Sequence, residues 1–284
     1  MIQNTVLIQQ GRGGFQFSQP VNIVVATQAD QVIPALQLIE AAVNQHHLYA
    51  AGFLCYEAAA AYELAVHDPL PDVPLLWFGL YEQAMLINNW QSLLTQVALS
   101  PFGAIGDWQP AINFADYQKA VHRIKDYLAD GHSYQVNYTF PLYADFIGNP
   151  WPLFTRLAVA QQAEYAAFIH TGRFVIGSAS PELFFELNGE RLTTKPMKGT
   201  AARGRTLAED EMQMVNLRQS EKNRAENLMI VDMIRNDLGR VAHIGSVAVP
   251  QLFAVERYPT LLQMTSTVIA QTQASVTEIM AHMF

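Results

Sequence analysis

The stretch TTKPMKGTAARG, residues 193 to 204, holds the side chains best suited to chemistry. Lys198 stands two residues after Pro196 and directly before Gly199 and Thr200, with Lys195 and Arg203 as the other charges of the segment. A lysine beside Gly and Thr suggests a phosphate loop. That pattern, however, needs G-x-x-x-x-G-K-[ST], and here the order is Lys-Gly-Thr with no glycine at the upstream spacing. The other chemistry open to an amine is nucleophilic attack. At its ordinary pKa of about 10.4 a lysine is protonated at neutral pH, so it must be desolvated or deprotonated before it can attack. The plain alternative is a solvated loop charge, since lysines are mostly exposed.

The strand pattern around the lysine brings a carboxylic acid close to it. ELFFEL-NG-ERLTTK, residues 182 to 195, reads as a hairpin, because Asn-Gly supplies the two positive φ angles of a type I′ turn. With the turn at Asn188-Gly189, Leu187 faces Glu190 and Glu182 lies opposite Lys195. Pro196 cannot donate to a ladder and should release the chain from the sheet. Glu182 and Lys198 then emerge at one open hairpin end, within about 10 Å given an inter-strand spacing near 5 Å. The pair can work as acid and nucleophile. An ordinary ion pair at a hairpin end satisfies the same geometry, and burial and charge would pull the lysine pKa in opposite directions.

These residues must be positioned by a body that the rest of the sequence describes. Of 284 residues, 50% are hydrophobic and 15% charged, below the roughly 25% charged of a typical globular chain, which favours a well-buried core. The net charge of −8 argues against a general nucleic-acid or anionic-membrane surface. The one cysteine, Cys55, excludes an internal disulfide and reads as a small core residue. The 8 histidines form no Cys/His cluster at zinc spacing. No signal-like N-terminus or apolar run of membrane-spanning length occurs, so a soluble, cytoplasmic protein is expected.

Residues 1–96 form a mixed opening segment with helical spacing in QVIPALQLIEAAVNQHH and aromatic runs in LYAAGFLCYEAAAAYE and PLLWFGLYE. Residues 97–112, rich in Pro, Gly and Ser, read as a linker, and 113–284 as the second part. A helix is expected from Tyr117, Ala120, Val121, Ile124, Tyr127 and Leu128, with Asp116 as N-cap and Gly131 as its stop. SYQVNYTFPLYADF alternates like a strand, and EYAAFIH-TG-RFVIGSAS reads as a hairpin about Thr171-Gly172. Residues 206 to 240 read as helical, broken near Ser220, with an apolar stripe of Val231, Ile234 and Leu238. Tight hairpins make antiparallel strands, so the fold class is α+β with antiparallel sheets sandwiched by helices.

Five stretches carry a resemblance: DGHSYQVNYT at 130–139, GSASPELFFEL at 177–187, KPMKGTAARG at 195–204, EKNRAENLMIVDMIRNDLGRV at 221–241 and LQMTSTV at 262–268. In this order they resemble the chorismate-utilising enzymes, the family of anthranilate, aminodeoxychorismate, isochorismate and salicylate synthases. The resemblance implies that Glu182 is a general acid for the departing 4-hydroxyl of chorismate, and that Glu226 is a carboxylate that holds Mg²⁺. It implies that Gly199 and Thr200 approach the substrate ring. Gln135 stands where water-adding members carry a basic lysine, which points to ammonia as the incoming group. Lys198 and Gln263, where anthranilate synthases carry alanine and histidine, resemble the aminodeoxychorismate-forming branch. There the lysine attacks chorismate and ammonia displaces it, giving 4-amino-4-deoxychorismate on the way to p-aminobenzoate and folate. A separate glutamine amidotransferase subunit would supply the ammonia.

The resemblance also implies a further C-terminal part after VTEIMAHMF, opening with a GSITGAPK-like segment and bringing more groups for the metal and the substrate carboxylates. On that ground the fold is expected to be incomplete at the C-terminus, and these 284 residues alone to be inactive. The alternatives are an anthranilate synthase component I and a non-catalytic docking module.

Overall fold

The computed structural model describes residues 3–98, 100–162 and 164–283. It divides into two compact units, Met1–Leu99 with Leu153–Phe284, and Ser100–Pro152.

The first unit opens with a hairpin of β1 (Thr5–Gln10) and β2 (Gly13–Phe17), then β3 (Asn22–Ala26), α1 (Ala29–His46), β4 (Tyr49–Leu54), a 3-10 turn over Tyr56–Tyr62, β5 (Leu76–Tyr81), β6 (Met85–Ile87) and α2 (Trp90–Ala98). The expected helix is α1. Its Val32, Leu36 and Ile39 pack on Val24, Leu76 and Leu80 of a β3-β5-β4 sheet. Of the two aromatic runs, the first splits into β4 and the 3-10 turn, and the second is β5, buried at Leu76, Trp77, Leu80 and Tyr81. Cys55 donates its thiol to the Pro74 carbonyl at 3.2 Å, and burial raises its pKa.

The second unit holds β7 (Gly103–Ile105), β8 (Gln109–Pro110), α3 (Phe114–Ala129), β9 (Leu142–Tyr143) and β10 (Phe146–Gly148). Here β7 pairs with β10 and β8 with β9. The 97–112 stretch therefore contains two short strands. The cap of α3 is Asn113, whose side chain accepts the Asp116 N–H at 2.9 Å; Asp116 is the residue being capped. At the other end His132 N–H reaches the Tyr127 carbonyl and Gly131 N–H the Leu128 carbonyl, a Schellman closure. The strand expected over 133–146 is reduced to β9 and β10. Residues 133–141 belong to no strand, and Tyr134, Val136, Tyr138 and Phe140 are exposed. Alternation marks two faces, but a strand also needs a ladder partner, and this segment has none among the described residues.

The boundary between the units falls in the first turn of α4 (Pro150–Gln161). Beyond it the first unit resumes with β11 (Tyr165–His170) and β12 (Val175–Ser180), which complete an antiparallel sheet of order β12-β11-β1-β2-β6. Its turn spans four residues, Thr171–Phe174, with His170 paired to Val175, so Thr171-Gly172 is not a two-residue turn. Next come β13 (Leu183–Asn188), β14 (Arg191–Lys195), β15 (Met197–Ala202), α5 (Leu207–Gln219), α6 (Glu221–Gly239), β16 (Ala248–Arg257), β17 (Leu261–Gln271) and α7 (Val276–Met283). Ser220 ends α5 and caps α6, the break expected there. The sheet order is β13-β14-β17-β15, with β16 also on β17. Helix α6 covers this sheet through Val231 and Leu238 against Leu192, Val268 and Ala270, with Ile279 of α7 in the same cluster. Every strand pair is antiparallel, the α+β class expected.

The β13–β14 hairpin turns one residue later than Asn188-Gly189. Asn188 pairs with Arg191, so Gly189 and Glu190 are the turn. Only Gly189 is left-handed there, at φ +59°; a type I′ turn would need a second positive φ, which the structure places on neither neighbour. A register irregularity between Leu183 and Glu186 then sets Leu183, not Glu182, opposite Lys195.

Candidate active site

Strand β15 carries Lys198 and is irregular where it does so. Met197 pairs with Thr265 and Thr200 with Gln263, leaving Lys198 and Gly199 opposite the single residue Met264. This is a β-bulge, a device that re-aims a side chain. Gly199 adopts φ +97°, and a Cβ there would lie 3.1 Å from the Asn223 Cβ on α6. Glycine is needed for both the angle and the close approach.

Glu182 lies beside the bulge. Its Oε1 accepts the Met197 N–H at 3.1 Å, one residue from Lys198. The residue is exposed, yet partial desolvation of its carboxyl raises its pKa. The Met197 hydrogen bond and the nearby Lys198 charge oppose this without cancelling it. A carboxyl with a raised pKa gains in readiness to carry a proton that it can then give away. Thr200, the next residue after the bulge, donates its hydroxyl to Gln263 Oε1 at 2.8 Å across the β15–β17 pair. Gln263, Met197, Pro181 and Tyr258 line a cavity of about 80 Å³. That is well below the roughly 300–1,000 Å³ of a small-molecule site, so it forms a corner next to Gln263 rather than a substrate pocket.

Glu226 is half-buried on α6, with the Lys222 ammonium 3.9 Å away one turn earlier. No group of three or more His, Cys, Asp or Glu side chains able to hold a metal exists among the described residues. Glu226 therefore offers one oxygen-donor carboxylate. That suits Mg²⁺, which keeps several waters and takes one or two carboxylates, but gives no cage of its own. Gln135 belongs to the other unit, in the irregular 133–141 stretch, and is half-buried there. The structure thus brings Glu182, Lys198, Gly199, Thr200 and Gln263 together about the β15 bulge, with Glu226 on the helix that covers it.

Several residues not singled out from sequence support this group. Lys195 pairs with Glu256 at 2.7 Å. Burial pulls the Lys195 pKa down, but the hydrogen bond and charge of Glu256, with Glu164, outweigh it and leave it raised. Glu256 also accepts from Thr265 and Tyr258 hydroxyls, each at 3.2 Å. After the strand, Arg203 grips the buried Asp210 through two of its nitrogens and, with the Gly204 N–H, lowers that carboxyl to about 2. Asn227 and Ser266 are wholly buried and bonded to each other at 2.5 Å. Their signal was legible. Asn227 stands one turn before Val231 on the stripe of α6, and Ser266 interrupts the inward series Leu262, Met264, Val268, Ala270 of β17.

Comparison with known proteins gives the family. The model of the chorismate binding enzyme family matches residues 4–284, and the chain belongs to that family. It is 36% identical over 228 residues to "Aminodeoxychorismate synthase component 1" of Escherichia coli (strain K12), covering 74% of this chain and 50% of that protein. It is 44% identical over 227 residues to "Aminodeoxychorismate synthase, chloroplastic" of Arabidopsis thaliana, covering 72% and 24%. The match thus spans about half the length of the component 1 relatives from Escherichia coli, Salmonella typhimurium and Klebsiella aerogenes. Among solved structures, anthranilate synthase component I from Streptococcus pneumoniae TIGR4 superposes with a TM-score of 0.75 at 20% identity, over 99% of this chain and 70% of that one. A putative 2,3-dihydroxybenzoate-specific isochorismate synthase from Bacillus anthracis does so with 0.75 at 15%, over 99% and 73%. The fold is that of chorismate-utilising enzymes. No helix among the described residues is long and apolar enough to cross a membrane.

Proposed function

We propose that the chain is the nucleophile-bearing part of an aminodeoxychorismate synthase component 1, which converts chorismate and ammonia to 4-amino-4-deoxychorismate through a covalent intermediate on Lys198. The observation that carries the reading is the bulge, with Lys198 at its centre and the raised-pKa Glu182 held to its edge by Met197. The relatives of that name support it.

In this reading a proton moves from the Lys198 ammonium to the Glu182 carboxylate, leaving a neutral amine and a carboxylic acid. The amine nitrogen attacks C2 of chorismate, the π electrons shift, and the C4–O bond breaks. Glu182 protonates the departing hydroxyl, which leaves as water. Ammonia then attacks C4, the π electrons shift back, and the C2–N bond breaks to release lysine. One difficult displacement becomes two easier ones. Gln135 cannot take a proton from water at neutral pH, which favours ammonia as the second nucleophile. Gln263, bonded to Thr200, offers no base for losing pyruvate, so the amino product is retained.

Mg²⁺, when bound, would neutralise and fix a carboxylate of the substrate, and Glu226 is the residue that would hold it. Residues 113–284 would be the opening part of the chorismate-binding body, 1–96 an N-terminal subdomain and 97–112 their connection. A glutamine amidotransferase subunit would deliver ammonia, in a cytoplasmic setting, with no nucleic acid or membrane as partner.

The test is product analysis after incubation with chorismate, Mg²⁺ and ammonium, on this chain and on one prolonged to the length of its bacterial relatives. The expected product is 4-amino-4-deoxychorismate. Fluorescent anthranilate or isochorismate as the product would overturn the reading.

A further inference from the structure

We propose that Asn227 is a positioning residue that sets the backbone of the bulge and so aims Lys198; this rests on the reading of Lys198 as nucleophile. The bulge leaves Lys198 and Gly199 without regular ladder partners, so something other than the sheet must fix them. Asn227 Nδ2 donates to the Lys198 carbonyl at 3.4 Å, a long contact that the rest of the network directs. Asn227 Oδ1 accepts the Ser266 hydroxyl at 2.5 Å, and Ser266 Oγ in turn accepts the Phe253 N–H at 3.2 Å. The Lys198 carbonyl can only accept, so the amide nitrogen is turned to it, and the amide oxygen is left facing Ser266 to take the one hydroxyl proton.

Ser266 also holds the near side of the segment, its N–H donating to the Pro196 carbonyl at 3.1 Å. Residues 196 and 198 are thus tied by main chain and side chain to one network, with Met197 between them bonded to Glu182. One turn before Asn227, Asn223 of α6 stands against Gly199. Asn227 and Ser266 are each fully buried, Ser266 within the apolar inward series of β17 and Asn227 beside Val231 on α6. Burying an amide and a hydroxyl costs stability unless both are satisfied, and here they are satisfied by each other and by two main-chain groups, the Lys198 carbonyl and the Phe253 N–H. The pair therefore acts on the backbone, and one of the two groups it holds is that of the bulge.

Two readouts test this on Asn227→Leu, which keeps the branched outline and heavy-atom count of the side chain and removes both hydrogen bonds. The first is the rate at which chorismate, with Mg²⁺ and no ammonium, adds to the protein, followed by intact mass. The saturating rate is expected to fall by about tenfold or more, with the half-saturating chorismate concentration changed by less than about twofold, since a misplacement near 1 Å costs rate rather than binding. The second needs no reaction: Lys198 acetylation by a small amine-reactive ester, with exposed Lys222 as internal reference, is expected to rise by about threefold or more as the lysine is released. Both rates unchanged in a folded variant overturn the proposal.

If neither the unaltered chain nor its form prolonged to the length of its Escherichia coli relative forms an adduct, the nucleophile reading fails, and the labelling ratio alone decides the positioning role. If Asn227→Leu shows no cooperative melting, Ser266→Ala replaces it. That change frees the amide to turn, and the same two readouts are expected to move in the same directions by about threefold. Unchanged values there also overturn the proposal.

Discussion

Helix α3 has the plainest apolar stripe in the chain yet buries none of its residues, with Tyr117 38% and Tyr127 42% exposed. Helix α6 has a weaker pattern, interrupted by polar side chains, yet buries Asn227, Val231 and Leu238 completely or nearly so. An amphipathic stripe reports which side of a helix could be covered, not that a neighbouring element covers it. A polar residue on a covered side is the more informative feature, because it has to be satisfied where it stands. On α6 the satisfaction runs from Asn227 to Ser266 and on to the strand of Lys198.

The largest expected contrast between the two helices lies in chemistry. Glu182→Gln keeps an oxygen to accept the Met197 N–H but cannot give up a proton, and chorismate turnover should fall by about 100-fold or more. Lys125→Ala on the exposed side of α3 should stay within about twofold. In the unaltered protein turnover should rise as pH rises through the raised pKa of Glu182, because the carboxylate must first take the Lys198 proton before it can act as the acid; a flat profile would remove Glu182 from the reaction.

Stability should separate the helices next. Leu238→Ala opens a cavity under α6 and should cost about 3 kcal/mol in urea unfolding, while Leu128→Ala on half-buried ground in α3 should cost about 1 kcal/mol or less. Equal losses would break the comparison. Smaller again, Gly199→Ala forces a left-handed φ on alanine and presses its Cβ toward Asn223. About 1–3 kcal/mol should be lost, and Asn223→Ala should return part of it by making room.

Much of this was legible in the chain. The α+β class, α1, the break at Ser220 and the grouping of Glu182 with Lys198 followed from spacing, glycine and proline. The failures have definite physical causes. The β13–β14 turn shifted by one residue because Gly189 is its first central residue and not its second. That slip and the irregularity after it put Leu183 opposite Lys195, yet Glu182 still reached the segment because its side chain extends to the Met197 N–H. The strand expected over 133–146 rested on alternation alone, which does not supply a partner. Asn113 rather than Asp116 caps α3 because the cap precedes the first helical residue, and Asp116 is already inside. The β15 bulge was invisible, since it depends on how β17 aligns with β15 from more than sixty positions away in sequence.

The most direct measurement is the intact mass of the protein after incubation with chorismate and Mg²⁺ without ammonium, for this chain, its prolonged form and Lys198→Ala of each. A gain of one chorismate less one water, mapped to Lys198 and absent from both alanine variants, is the expected result. Consumption of chorismate with no adduct at either length, or an adduct that survives Lys198→Ala, would contradict the account.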